Sequence, residues 1–311
     1  MALKAAYVTL LTKVSYLAGT LVLWYGLQES QSAYPLVVMV TPELEQDARN
    51  VLEKFGIRMI EVQSLLPEDG VHKLSESDKR FHDTWTKLRQ AISVADGVFW
   101  LIEFDRVVLL DSDMVVKKNI DDLMTMELPK GGIAAVHVCA CNPRKFAHYP
   151  PDWIPENCAH TAVSGPTEPP PAPVDQPRPY GQLNSGTVVL EPSLERAQKL
   201  AHFLATDQRV PTWSFPDQDL LTAFFHGKWS SLPWYYNALK TLRNIHPQLW
   251  DDDVARCVHY ILPEKPWHVK LEDSTYKVVD SWWWAQYQKM GEKLQAEDMD
   301  AWKIVSAVVV S

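Results

Sequence analysis

Residues 106–116 read RVVLLDSDMVV. An apolar run meets two aspartates spaced one apart, and apolar residues resume at once. Along an extended chain, side chains two apart lie on one face, so Asp111 and Asp113 are expected to point the same way. Two carboxylates that close repel, and burying them is costly unless a cation or hydrogen-bond donors compensate. Two readings follow. One is a solvated turn between strands, favoured by the turn preferences of Asp and Ser. The other is a site for a divalent metal.

The chain before this stretch indicates the kind of sheet it enters. AYVTLL (6–11) reads as a strand and SYLAGTLVLWYGLQES (15–30) as a helix. YPLVVMV (34–40) is a near-continuous apolar run, the mark of a strand buried on both faces. PELEQDARNVLEKFG (42–56) reads as a helix opening at Pro42 and closed by Gly56. IRMIEVQ (57–63) is another strand, and DTWTKLRQAISVAD (83–96) another helix. This alternation predicts an α/β fold: a Rossmann-like, mainly parallel sheet flanked by helices. Such sheets bind ligands beyond the carboxyl ends of their strands, where Asp111 and Asp113 fall.

From 148 to 181 the periodicity stops in YPPDWIPENC (149–158) and GPTEPPPAPVDQPRPYG (165–181), a proline-rich insertion or lid. SGTVVL (185–190) then resumes the sheet, followed by helical SLERAQKLAHFLAT (193–206) and DQDLLTAFFHG (217–227). DSWWWAQYQKMGEKLQAEDMDAWKIV (280–305) reads as helical, with Trp282, Trp283 and Trp284 covering the core. Asp121 and Asp122 read as carboxylates of a first helical turn. The run Asp251, Asp252, Asp253 reads as a solvated helix start.

A net charge of −9 with no Lys/Arg block excludes a nucleic-acid track. With 46% hydrophobic and 22% charged residues, the 311-residue chain has the composition of a globular protein. The N-terminal residues parse as strand, turn and helix instead of a leader or anchor, so no membrane span and a cytoplasmic location are expected. Cys139, Cys141, Cys158 and Cys257 are too few for a disulfide framework. His137, Cys139 and Cys141 alternate, and Cys158 and His160 follow. A structural zinc can be drawn from these five, but their spacing fits no common ligand pattern, so buried reduced thiols are expected.

Two aspartates offer hard oxygen ligands for Mg²⁺ or Mn²⁺, and an imidazole would shift preference to Mn²⁺. His259, in the strand-like CVHYILPEKPWH (257–268), is the candidate, with Lys265 six residues on. A metal and a lysine are what a diphosphate leaving group requires, since both offset the charge that grows as the bond breaks.

The ordered set TWTKL (84–88), VVLLDSDMVVKKNIDDL (107–123), LNSGTVVLEPS (183–193), DQDLL (217–221), LPWYYN (232–237) and VHYILPEKPW (258–267) resembles the retaining glycosyltransferases of family eight. That group contains glycogenin, bacterial lipopolysaccharide galactosyltransferases and plant galactinol synthase. The resemblance runs from AYVTLLTKVSY (6–16) to HYILPEKPW (259–267). It implies a single GT-A type domain over 1–275, interrupted by the insertion at 148–181, with 276–311 as a helical extension. It further implies that Asp111, Asp113 and His259 hold Mn²⁺, with Mg²⁺ as the alternative, against the diphosphate of a UDP-sugar flanked by Ser112. Thr9, Leu10, Thr12 and Tyr16 match the surroundings of the uridine, and Arg80 and Lys87 match basic residues near donor sugar and phosphates. Asn184, Ser185 and Gly186 match the turn that contacts the sugar. Asp217 and Gln218 match the pair beneath the anomeric carbon, and Lys265 matches the diphosphate lysine. Asp217, Gln218 and Lys265 are thus the candidate catalytic residues. Asp217 is also placed to cap a helix opening at Gln218.

Three positions depart from the family pattern. Asn244 stands where glycogenin has the tyrosine it glucosylates, Leu262 stands for a glycine near the diphosphate, and Lys13 for an asparagine near the uracil. NIHPQLWDDDVARCVHY (244–260) looks most like the galactinol synthase branch. The expected reaction is transfer of a hexose, glucose or galactose, to a hydroxyl of a small polyol, sugar or glycan. Galactose transfer to inositol and a non-catalytic sugar-nucleotide binder are the alternatives. A haloacid dehalogenase-type phosphatase also fits LLDSDMVV, but there the motif lies in the first strand, and here about a hundred residues of βα units come before it. The terminal IVSAVVVS (304–311) is either a partner-binding strand, as in a homodimer, or a frayed end.

Overall fold

A computed structural model describes residues 3–62, 98–147, 149–163, 165–170 and 179–310. The expected helix over 83–96, together with Arg80 and Lys87, lies outside them. β1 (Ala5–Leu11), β2 (Leu36–Val40), β3 (Arg58–Glu61) and β4 (Arg106–Leu110) are mutually parallel, in the order β3-β2-β1-β4. The sheet continues through β7 (Leu183–Leu190), β6 (Ile133–His137) and β8 (Trp229–Ser231). β7 runs antiparallel to both its neighbours, while β6 and β8 are parallel. The expectation of a mainly parallel sheet holds, with one reversed strand, β7, between β4 and β6.

β1 carries the reason for two cores. Tyr7 and Leu11 point to one side, where α1 (Leu17–Glu29), α2 (Gln46–Lys54) and the long α7 (Lys277–Glu297) pack. Ala6, Val8 and Leu10 point to the other, against α4 (Leu194–Thr206) and α5 (Pro216–Phe224). Each large apolar side chain so buried stabilises the fold by about 1.5–3 kcal/mol relative to exposure. α4 opens on Ser193, whose hydroxyl accepts from the Arg196 N–H.

The sequence gives no warning of a second sheet. β5 (Met114–Val116), β10 (Cys257–His259) and β9 (Ala238–Leu239) form a three-stranded sheet in the order β5-β10-β9. α1 lies against β5, and Gly26 permits it: a Cβ there would sit 2.7 Å from the Val116 carbonyl oxygen, while Gly19, near the start of the helix, lets α1 approach the Ser112 carbonyl, 2.6 Å from where its Cβ would be. The short α3 (Asp122–Thr125) follows β5. Asp121, just before α3, accepts from the Tyr7 hydroxyl at 2.8 Å, the Ser32 hydroxyl at 2.7 Å and the Ala33 N–H at 2.8 Å. Its neighbour Asp122 accepts from Arg256 at 2.8 Å, tying β10's approach to the same corner.

Several local expectations are corrected. α2 begins at Gln46 and not at Pro42, because Leu44 turns back to bond the Thr41 carbonyl and buries itself, while the Glu45 carboxylate accepts from the Val14 N–H. The Asp251–Asp253 run starts no helix. It is a turn in which Asp252 accepts from Arg243 and from the Trp250 indole. The last segment breaks into α7 and α8 (Met299–Ser306), the latter capped by Asp298 accepting from the Ala301 N–H. The three tryptophans cover the core as expected: Trp283 is fully buried against Trp267, and Trp282 and Trp284 pack half-buried on the same cluster, Trp282 also lying beneath the Lys117 ammonium. The chain end is no strand: α8 runs to Ser306, and the Val310 N–H donates to the Trp267 carbonyl. No helix among the described residues is long and apolar enough to cross a membrane.

Candidate active site

β4 ends with Leu110 opposite Thr187 of β7, and the Asp111 N–H donates to the Gly186 carbonyl at 3.0 Å. The chain then leaves the large sheet, turns, and enters β5, where Met114 lies opposite His259 of β10. The Tyr260 N–H donates to the Asp113 carbonyl at 2.9 Å, locking this register. Strand alternation therefore does not explain why the aspartates converge. They do so because residues 111–113 form the turn between two sheets. Nor is the turn solvated, since Asp113 is only 7% exposed.

His259 Nε2 stands 3.4 Å from Asp111 Oδ2 and 3.2 Å from Asp113 Oδ1. Its Nδ1 is 2.8 Å from Asn237 Oδ1, and Asn237 Nδ2 donates to Asn184 Oδ1 at 2.7 Å. With the Asn237 amide so oriented, its oxygen accepts from His259 Nδ1–H, which leaves Nε2 facing the carboxylates, with a proton or with a lone pair for a cation. Lone pairs and negative charge at this separation repel unless a proton or a cation lies among them. The three ligating atoms lie within 4.8 Å of one another. Two oxygens and one imidazole nitrogen, oriented by a hydrogen bond from behind, are a donor set that fits Mn²⁺ or Mg²⁺.

Lys265 closes the other side. Its Nζ lies 2.5 Å from Asp113 Oδ2 and donates to the Tyr260 carbonyl at 2.8 Å. Burial works to raise the Asp113 pKa, but the Lys265 ammonium, followed by His259, outweighs it and holds the carboxyl well below the usual carboxylate range.

A polar chain leads from this cluster to α5. Asn184 Oδ1 also accepts from the Gly186 N–H at 3.0 Å, and Asn184 Nδ2 donates to Gln218 Oε1 at 3.0 Å. The Ser185 hydroxyl donates to the Asp217 carboxylate. Gly186 is required here by space: a Cβ would meet His259 Cε1 and Nδ1 at 2.5 Å. The expected cap is corrected. α5 opens after Phe215, Asp217 bonds Ser185 instead, and it is Asp219 that accepts from the Phe215 N–H at 2.9 Å.

The metal-ligand cluster, Lys265 and the polar chain border a cavity of about 410 Å³, with Asn237 behind His259. Leu10, Thr12, Tyr16, Asp111, Ser112, Asp113, Asn184, Ser185, Asp217, Gln218, His259 and Lys265 line it. Gly186 stands behind the His259 ring. Thr9 does not reach the cavity: strand alternation places it on the Tyr7 and Leu11 side of β1, fully buried. Among the described residues of the wall, three carboxylates face one lysine and one histidine. Leu262 also lines the cavity and has φ of +76°, the left-handed region that glycine adopts without strain. The leucine keeps a glycine-like backbone at a cost of about 1–2 kcal/mol.

Sequence reasoning passed over Asn237, although LPWYYN ends on it. It also passed over Tyr149, Trp153 and Phe215, aromatic residues on the far wall. Trp153 is fixed by its indole donating to Gln182 Oε1 at 3.1 Å, and Gln182 in turn donates to Asp219 at 2.7 Å.

The fold and cavity have counterparts. A galactosyltransferase, LgtC, solved with donor and acceptor sugar analogs, superposes with a TM-score of 0.57 over 90% of this chain and 95% of its own, at 15% identity. The glycosyltransferase GlyE of Streptococcus pneumoniae TIGR4 superposes with a TM-score of 0.55 over 93% of this chain and 64% of its own, at 16% identity. These place the architecture in the GT-A class of glycosyltransferases. In sequence, galactinol synthase 3 of Arabidopsis thaliana is 30% identical over 290 residues, covering 90% of this chain and 80% of that protein. An uncharacterized protein, R707, of Acanthamoeba polyphaga mimivirus is 25% identical over 274 residues, 88% of this chain and 85% of its own length. The sequence model described as "Glycosyl transferase family 8" matches residues 7–270, and the chain belongs to that family.

Proposed function

We propose that this chain is a metal-dependent, retaining hexosyltransferase that moves glucose or galactose from UDP to a hydroxyl acceptor. The observation that supports it most is the charge balance of the cavity. With three carboxylates against Lys265 and His259, a diphosphate finds too little positive charge among the described residues unless a cation joins it. Asp111, Asp113 and His259 would hold a divalent ion, which would supply that charge beside the diphosphate.

The chain's own residues do the rest. Lys265 offers a second positive charge to the diphosphate. Asn184 and Gln218, already bonded to each other, orient the sugar, and Asp217 is held by Ser185. Among the described residues of the wall, Asp111 and Asp113 belong to the metal set and Asp217 is engaged by Ser185, so no carboxylate stands uncommitted as a nucleophile. This supports attack from the face the phosphate leaves. The anomeric carbon–phosphate oxygen bond breaks, the bond to the acceptor oxygen forms, and the acceptor proton passes to the departing phosphate oxygen. Gln218 and Asp217 steady the positive charge on the sugar.

Galactose transfer to inositol is the second reading, favoured by the similarity to galactinol synthases along most of the chain. A panel of UDP-sugars with Mn²⁺, with and without chelator, tests both readings. UDP release is expected with a UDP-hexose only when metal is present. An acceptor screen including myo-inositol, with product anomers read by NMR, is expected to show retained configuration. Release indifferent to chelator, or an inverted product, would overturn the proposal.

A further inference from the structure

We propose that Cys139, Cys141, Cys158 and His246 hold a zinc ion that ties three segments into one wall of the cavity. The three sulfurs and the His246 Nε2 lie within 4.8 Å of one another. Cys139 Sγ is 3.6 Å from that nitrogen, Cys141 Sγ 3.2 Å and Cys158 Sγ 3.6 Å. Zinc bonds of ~2.3 Å to sulfur and ~2.0–2.1 Å to nitrogen, at the tetrahedral angle, set sulfur and nitrogen about 3.6 Å apart. The ligands already stand at close to that separation.

The three thiols stand within reach of one another, and all three also converge on one His246 nitrogen. One imidazole nitrogen offers a single donor or a single acceptor position, so it cannot serve three thiols together. A cation at the centre satisfies all four. The cysteines are free, and Cys141, Cys158 and His246 are buried. Four protein donors leave no position for substrate, so the site is structural, with no part in the transfer. Sulfur ligands also separate it from the oxygen-rich Asp111–Asp113–His259 set, since thiolates select zinc where carboxylates suit Mn²⁺ or Mg²⁺.

The histidine differs from those the spacing pointed to. His137 bonds the Tyr180 carbonyl at 2.8 Å through Nδ1 and the Ser231 hydroxyl at 2.6 Å through Nε2. His160 Nε2 bonds the His137 carbonyl at 3.1 Å. His246, instead, follows the short α6 (Leu242–Ile245), where its N–H donates to the Leu242 carbonyl. Cys139 and Cys141 follow β6, and Cys158 lies in the proline-rich insertion. The ion therefore pins the insertion to the body of the fold. Trp153 and Phe215, which line the cavity, pack in one apolar cluster with Cys141 and Cys158.

Metal analysis of the full chain, purified without chelator, tests this independently of any transferase activity. About one zinc per chain is expected, resistant to Mn²⁺ exchange and released by a thiol-modifying reagent. An Asp111→Asn, Asp113→Asn double variant and Cys257→Ser are expected to keep the zinc, whereas Cys158→Ser and His246→Asn lose it. Cobalt substitution of the wild-type chain is expected to give sulfur-to-metal charge-transfer absorption. Wild-type chain without stoichiometric zinc after zinc supplementation, or an intact mass showing a disulfide among the three cysteines, would overturn the proposal. Zinc retained in both ligand variants would do the same.

Discussion

Replacing Asp113 with asparagine is expected to lower metal-dependent UDP release by about 10²–10³-fold, the loss seen when one preorganised electrostatic group is removed from a reacting site. The substitution keeps shape and removes charge, so it isolates the electrostatic contribution. Two partners are affected at once. His259 loses the nearer of its two carboxylate neighbours, at 3.2 Å, and Lys265 loses the carboxylate 2.5 Å away. Lys265 is 6% exposed, so its ammonium is left buried beside the Tyr260 carbonyl with that carboxylate's charge removed. Breaking a buried ion pair from one side costs about 3–5 kcal/mol. Asp113→Asn is therefore expected to lower Tm as well as activity. Asp111→Asn is expected to lower activity with a smaller loss of Tm, because the Lys265 ammonium pairs with Asp113. Initial rates across a Mn²⁺ titration, with thermal melts of the same preparations, check both halves of this contrast. Equal melting temperatures for the two variants would contradict the pairing with Lys265.

Replacing Lys265 with methionine is expected to cost a similar 10²–10³-fold in kcat. Methionine keeps the length and apolar stem and removes the charge. Without Lys265, two carboxylates and a third at Asp217 face His259 alone among the described residues lining the cavity. Among the described residues lining the cavity, the diphosphate would then have no lysine or arginine to offset the charge it gains on departure. The effect should fall on kcat more than on KM, because the departing nucleotide carries more negative charge in the transition state than in the bound donor. Single-turnover rates with a UDP-hexose, compared at saturating Mn²⁺, measure it. A variant with unchanged kcat and raised KM would place Lys265 in ground-state binding only.

The linear part of this site was legible because its residues sit in contiguous motifs. RVVLLDSDMVV announces itself by charge inside an apolar run, and His259 and Lys265 lie six residues apart in VHYILPEKPW. Asn237 was not legible as the partner of His259. Its position depends on β9 pairing parallel with β10, where Leu239 lies opposite His259, and β9 has two residues and β10 three. Strands that short carry no periodicity to read. The thiol cluster was half legible. Cys139, Cys141 and Cys158 are near in sequence, but the histidine that joins them is 88 residues beyond Cys158, brought back by the chain's return through α6. Asp217 shows a different limit: its chemistry as a helix-start carboxylate was readable, while the Ser185 hydroxyl that claims it comes from another element. Leu262 shows the reverse case, in which a departure from the family's glycine changed the side chain and left the backbone in the glycine region.

Binding of Mn²⁺ followed by electron paramagnetic resonance, with and without UDP, addresses the Asp111–Asp113–His259 cluster without reliance on any acceptor. The wild-type chain is expected to bind about one Mn²⁺ more tightly when UDP is present, and a His259→Ala variant to bind it 10–100-fold more weakly or not at all. Undiminished Mn²⁺ binding in a chain lacking Asp111, Asp113 and His259 would show that the ion, and the chemistry assigned to it, lies elsewhere.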